Sequence, residues 1–142
     1  VYPSGYFVEE KNLGNGEREH YAVILTEDTE ENRAVREGRA PGREGPVSIT
    51  VDLYQNDLDK LSIEQWLKSS GLSNFKLSNG KYSTAIVAGI NGVAYRWSGL
   101  YEGETTAVAH DRYVYAVSVN FITPNDAIRL HYKNLIKTFV LR

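Results

Sequence analysis

From Gly92 to Phe121 the chain alternates apolar and polar positions with a period of two, and the rhythm breaks twice, at Glu102-Gly103-Glu104 and at His110-Asp111-Arg112. Successive side chains of a strand point to opposite faces, so three alternating runs separated by short breaks read as a β-meander. The predicted strands are Val93–Leu100, Thr105–His110 and Arg112–Phe121, with Thr84–Gly89 before them and Asn91-Gly92 as the hairpin turn. Tyr95 and Trp97 then share a face of one strand, and Tyr113, Tyr115, Val117, Val119 and Phe121 share a face of another. Most of the aromatic mass is expected on one side of the sheet, with Ala94, Ser98, Ala116 and Ser118 on the other.

The remaining pattern adds strands and two helices. Pro3-Ser4-Gly5 reads as a turn into a short extended piece, Tyr6–Glu9, and Gly14-Asn15-Gly16 as a second turn. His20–Thr26 is apolar on both sides, as expected of a strand covered on both faces, and Val47–Tyr54 alternates cleanly. Ser62 with Gln65 forms a capping box ahead of an Ile63-Trp66-Leu67 stripe, and Gly71 stands where a helix C′ glycine belongs. Thr123, Pro124 and Asp126 announce a second helix, with Thr123 as its cap and Pro124 in its first position. Ile128, Tyr132, Leu135, Ile136 and Phe139 lie on one face of it, and Arg129, Lys133 and Lys137 form a basic stripe expected in water.

Glu27–Pro46 breaks the pattern. Glu27, Asp28, Glu30 and Glu31 precede Arg33, Arg36, Arg39 and Arg43, and Val35 is its main apolar anchor. A helical turn around Thr29–Glu37 is expected, supported weakly by Glu-before-Arg pairs. Segments of this length and composition are either mobile, solvated excursions or binding loops, and the reading here is the mobile excursion, 27–46.

Composition narrows the function classes. The 142 residues suit a single domain, 1–142. Lys and Arg number 16 against 18 Asp and Glu, a net charge of −2, so no basic excess points to nucleic acid. No apolar run approaches the ~20 residues of a membrane helix, so no membrane insertion by this domain itself is expected. With no cysteine there is neither a disulfide nor a thiolate site, and the lack of Met removes another oxidisable group. The chain opens at Val1 rather than Met, which leads us to expect an upstream anchor or tether.

Candidate chemistry is sparse. His110 and Asp111 are the weak candidates for a metal site, but Glu102 and Glu104 fall at the opposite end of a strand, ~20 Å away, and the ligand number falls short. His20 and His131 stand alone, and no Ser-His-Asp grouping or nucleotide loop can be placed. The expectation is therefore no catalytic residue, no cofactor and no metal. Tyr95, Trp97, Tyr113 and Tyr115 read as core rather than as a ligand platform. Tyr54, Tyr82 and Tyr101, near strand ends or loops, read as exposed contact groups; with Arg129, Lys133 and Lys137 they make up a possible interaction surface.

Taken together, Tyr2-Pro3-Ser4-Gly5-Tyr6, the strand Ser48–Asn56 with the following Leu61–Ser70, the segments Ala94–Gly103 and Thr105–Phe121, and the closing Thr123–Phe139 resemble the PsbP-like family, named after an extrinsic subunit of photosystem II. The similarity spans nearly the whole chain as a pattern, and is greatest to bacterial members, which tend to be secreted or lipid-anchored. It implies an antiparallel sheet flanked by helices in an α/β/α sandwich, and an assembly or docking role without a shared active site. The expected fold is thus α+β, a central antiparallel sheet of about six strands. The expected function is that of a non-catalytic interaction domain of the bacterial cell envelope: extracytoplasmic, monomeric, and engaging a protein partner. The rival is a small-molecule-binding or enzymatic domain with a cleft between sheet and helix.

Overall fold

The computed structural model describes residues 3–56 and 60–141, so Tyr2 of the opening Tyr-Pro-Ser-Gly-Tyr motif lies outside the described residues. The fold is α+β, built on one antiparallel sheet of seven strands. These are β1 (Tyr6–Asn12), β2 (His20–Glu27), β3 (Ser48–Gln55), β4 (Ser83–Val87), β5 (Ile90–Ser98), β6 (Glu102–His110) and β7 (Tyr113–Phe121). They lie in the order β1-β2-β3-β7-β6-β5-β4, so each half of the sheet is a meander and β7 joins the two. The helices are α1 (Glu30–Arg36), α2 (Ile63–Ser69) and α3 (Ala127–Thr138), with a 3-10 turn at Asn74–Leu77.

Each face of the sheet has its own core. On one, Ile63, Trp66 and Leu67 of α2 pack on Tyr54, Val93, Tyr95, Ala107, Val114 and Ala116. On the other, Ile128, Tyr132 and Leu135 of α3 pack on Leu25, Ile49, Val117, Val119 and Phe121. Each such apolar side chain withdrawn from water is worth ~1.5–3 kcal/mol, which fixes both helices to the sheet. The expected concentration of aromatics on one face is corrected by the register. Tyr95 pairs with Thr105 and Thr105 with Ser118, so Tyr95 and Trp97 lie on the α2 face; Tyr113, Tyr115 and Phe121 lie on the α3 face.

Both central turns sit elsewhere than the sequence suggests. The β4–β5 hairpin turns at Ala88-Gly89, whose φ values of 52° and 79° suit a two-residue turn twisted with the strands. Asn91 and Gly92 are inside β5, opposite Ile86 and Ala85. Gly92 is needed for close approach, since a Cβ there would overlap the Ala107 carbonyl. The second turn is at Gly99–Tyr101, and Glu102, Gly103 and Glu104 begin β6. Gly103 lies beneath the Trp97 indole, which fills the space of its missing side chain and donates from Nε1 to Thr105 Oγ1 at 3.0 Å.

The helix ends are half as expected. Ser62 and Gln65 form the full capping box of α2, but Ser70 leaves in extended conformation and Gly71 has no left-handed φ. Helix α3 starts later than its sequence signal. Thr123 and Pro124 lie in a preceding turn, and Asp126 is the N-cap. The Asp126 carboxylate faces backward, accepting from the amides of Ile122 (2.9 Å) and Thr123 (3.0 Å) and from the Thr123 hydroxyl (2.6 Å). Within 27–46, Thr29 caps α1 and Asp28 binds Arg33 and Arg36.

Candidate functional site: a groove beside the C-terminal helix

Helix α3 lies over β3 and β7, reaches β6 through Tyr132 and Arg129, and leaves an opening at its flank beside β4 and β5. The result is a groove of about 450 Å³. Its floor is Ala94 of β5 and Thr106 of β6; its wall is Leu130, Tyr132 and Ile136 of α3, with Ser83 at the β4 rim. Small residues at Ala94 and Ser83 give the groove its depth. Tyr132 and Thr106 share a hydrogen bond of 2.7 Å at its base, and burial pushes the Tyr132 phenol well above the ordinary tyrosine range.

One end is closed by charge. Glu104, its side chain 14 % exposed, accepts from both Nε (3.0 Å) and Nη2 of Arg129 and lies 3.4 Å from Arg96 Nε. Both guanidiniums stand over the Phe121 ring, at 5.2 Å for Arg129 and 6.0 Å for Arg96. Arg129 is therefore not part of a solvated stripe but a half-buried clamp between α3 and β6. Lys133 and Lys137, the rest of the stripe, are exposed, line the groove, and have no ion-pair partner among the described residues.

The charge of the chain is strongly divided. Up to Glu64 there are 14 acidic and 7 basic residues; beyond it there are 4 acidic and 9 basic. The run from Gln65 to Tyr101 holds no Asp or Glu but contains Lys68, Lys76, Lys81 and Arg96. That run supplies β4 and β5, and the groove is where it meets the basic edge of α3. A net charge of −2 thus hides a basic, half-apolar groove suited to an anionic ligand with apolar parts.

The other sequence candidates are dispersed. Tyr54, expected at the surface, is 8 % exposed, stacked on His20 at 4.2 Å and 4.9 Å from Trp66, because its strand position faces α2. Tyr82 is exposed, packed edge-on to Phe75 at 6.0 Å with the Lys68 ammonium 5.9 Å from its ring. Tyr101 is half-buried, its hydroxyl donating to the Gly45 carbonyl at 2.7 Å, which ties the charged 27–46 segment to the β5–β6 turn. None of the three reaches the groove.

His110 ends β6 and Asp111-Arg112 form the β6–β7 turn, with Asp111 left-handed at φ 54°, at the far end of β6 from Glu102 and Glu104 as expected. Lys60 and Arg112 line the same depression, so a cation would meet two positive charges there. Among the described residues no group of three or more His, Cys, Asp or Glu could hold a metal ion. His131 is bonded to the Tyr6 hydroxyl at 2.8 Å.

A second polar cluster, unforeseen from the sequence, lies under α2. His20 Nε2 binds Asp52 at 2.8 Å, and burial raises the Asp52 carboxyl above its ordinary value while the His20 hydrogen bond works against that rise. Nearby, the Tyr95 hydroxyl donates to Asn74 at 2.5 Å, and Thr105 links Asn74 to Ser118 at 3.2 and 2.8 Å. The cavity beside it measures about 70 Å³, room for a few waters but for no metabolite. The groove between sheet and helix lies on the α3 side, and of Tyr95, Trp97 and Tyr115 only Tyr95 is among the residues that line it.

Among the described residues no helix is long and apolar enough to cross a membrane. Comparison of the chain with protein-family models, with curated proteins and with solved structures finds no match.

Proposed function

We propose that this chain is a non-catalytic binding domain whose contact surface is the groove beside α3, and that it takes an acidic, partly apolar segment of a protein partner. One observation carries the reading: Lys133 and Lys137 are exposed and have no ion-pair partner among the described residues, beside a largely apolar groove wall, while the acid that could have neutralised them, Glu104, is engaged by Arg129 and Arg96. Cations left without partners next to apolar surface favour a ligand that supplies both complements. The proposed setting is that of an accessory domain on the envelope side, and the helices packed on both faces of the sheet support a PsbP-like sandwich. A small apolar carboxylate is the second reading, because a groove of about 450 Å³ falls within the range of small-molecule sites, roughly 300–1,000 Å³.

The test is amide chemical-shift mapping of the labelled protein against short acidic peptides and against aliphatic carboxylates. The expected result is a set of shifts confined to Ala94, Thr106, Tyr132, Lys133 and Lys137 for the peptides, abolished by Lys133→Glu with Lys137→Glu. Shifts with carboxylates alone would transfer the groove to small molecules. Shifts elsewhere, or none, would sink the proposal.

A further inference from the structure

The two edges of the sheet are built differently. Edge strands present unpaired amides and carbonyls, and proteins guard them with charge or cover. Strand β1 is guarded: it carries Glu9, Glu10 and Lys11, and Arg36 of α1 lies over the Phe7 ring at 3.7 Å. Strand β4 reads Ser-Thr-Ala-Ile-Val with no charge, and Ser83, Thr84 and Ile86 are exposed, Ile86 at 70 %. It is hydrogen-bonded to β5 on one side and ends the sheet on the other.

The bare edge adjoins the groove. Ser83 pairs with Ala94, and both line it. A strand added outside β4 would lie ~4.8 Å beyond it and send every second side chain to the α3 face, ~6.8 Å apart. Lys133 and Lys137 are one helical turn apart, ~6 Å along α3, close to that repeat. The surroundings of β4 are basic: Lys81 precedes it, the 65–101 run has no acidic residue, and Glu104 at the groove end is held by Arg129 and Arg96.

We infer that β4 accepts an extended peptide as an eighth strand, with acidic side chains at alternate positions over Lys133 and Lys137 and β-branched apolar side chains between them. Backbone pairing would give the affinity and the alternate acids the selectivity. This inference rests on the groove reading above and specifies how the groove is filled.

The probe is a fluorescently labelled decapeptide alternating Glu and Val, compared with one alternating Lys and Val, by anisotropy and by hydrogen exchange of the protein. The Glu peptide should bind at least tenfold more tightly than the Lys peptide, and its binding should slow exchange of the β4 amides. Lys133→Glu with Lys137→Glu, both at exposed positions, should weaken it at least tenfold. No binding, or equal binding of the two peptides, overturns the inference. Glu-peptide binding that needs Lys133 and Lys137 but leaves the β4 amides unchanged overturns strand addition and keeps the groove reading. Slowed β4 exchange that grows with protein concentration, without peptide, assigns the edge to a second copy of the chain and overturns it as well.

Discussion

The hydrogen bond between Tyr132 and Thr106 is the joint between α3 and the groove floor, and its removal can be worked through. The residues are 4 % and 8 % exposed and their hydroxyls lie 2.7 Å apart. Tyr132→Phe deletes one hydroxyl and leaves the other buried without its partner, at ~1–2 kcal/mol; Thr106→Val does the same in reverse. With an unfolding entropy of about 2.1 cal/mol/K per residue, a chain of this size loses ~3 °C of Tm per kcal/mol, so each variant should melt ~3–6 °C lower. Removing both hydroxyls leaves two apolar surfaces in contact and nothing unpaired, so the double variant should melt within ~3 °C of the parent. The assay is calorimetric melting of all four proteins as a double-mutant cycle. Simple additivity of the two losses, to within ~0.5 kcal/mol, would refute the argument that each hydroxyl is satisfied by the other.

Alkaline absorbance titration at 295 nm should separate the ten tyrosines: burial pushes Tyr6 and Tyr95 up to about 12 and Tyr54 and Tyr132 further. The unfolded chain ionises near pH ~10, so these four hold stability below that pH and lose it as pH rises through their folded values; one wave of ten at pH ~10 would be the contrary result. Asp126 works in the opposite sense. The Thr123 hydroxyl and the two amides hold its carboxyl below the ordinary range, so its stabilisation is present above pH ~4 and lost as pH falls, and Asp126→Asn should flatten the acid limb of the stability curve. Gly103→Val forces a side chain into the space of the Trp97 indole and should cost ~2 kcal/mol or more, with a shift in tryptophan emission as the ring is displaced; an unmoved spectrum and Tm would contradict the packing. Tyr101→Phe releases the Gly45 carbonyl and should speed proteolytic cleavage within 40–46 without changing the Tm by more than ~3 °C; unchanged cleavage would mean the bond does not restrain the segment.

The sheet was legible because alternation is a local signal, and so were both main helices, since the capping box at Ser62 and the apolar stripe of α3 depend on residues three or four apart. The failures are instructive for the same reason. Asn91-Gly92 has the composition of a turn, but Gly92 is there to let β6 approach, and only the close approach of the Ala107 carbonyl reveals it. Tyr54 looked exposed because it ends a strand; its burial comes from α2 and His20, neither visible from its neighbours. Arg129 looked like one of three equivalent helix cations, and Glu104, 25 residues away in sequence, sets it apart. Lys133 and Lys137 are exposed, as their place on the polar side of the helical repeat implies, whereas the groove beside them depends on how far α3 is offset from β5. The acid-free run from Gln65 to Tyr101 was in plain sight and is the one long-range signal that could have pointed there.

The uneven distribution of charge also governs how the molecule meets anything. Acidic residues crowd the β1–β3 side and lysines the β4–β5 side, so the domain carries a dipole directed along the sheet, from one outer strand to the other. In a non-uniform potential such a body turns before it touches. Approaching a negatively charged surface, it rotates its lysine-bearing flank forward and its acidic flank away, so collisions are biased toward one pose even though the total charge is nearly balanced. The bias extends over a Debye length, about 8 Å at physiological salt and about 30 Å at 0.01 M, so it acts mainly on the rate of productive encounter and weakens as ions are added. The same asymmetry would let the domain adhere to both cation- and anion-exchange resins at neutral pH, each resin holding it by the opposite end.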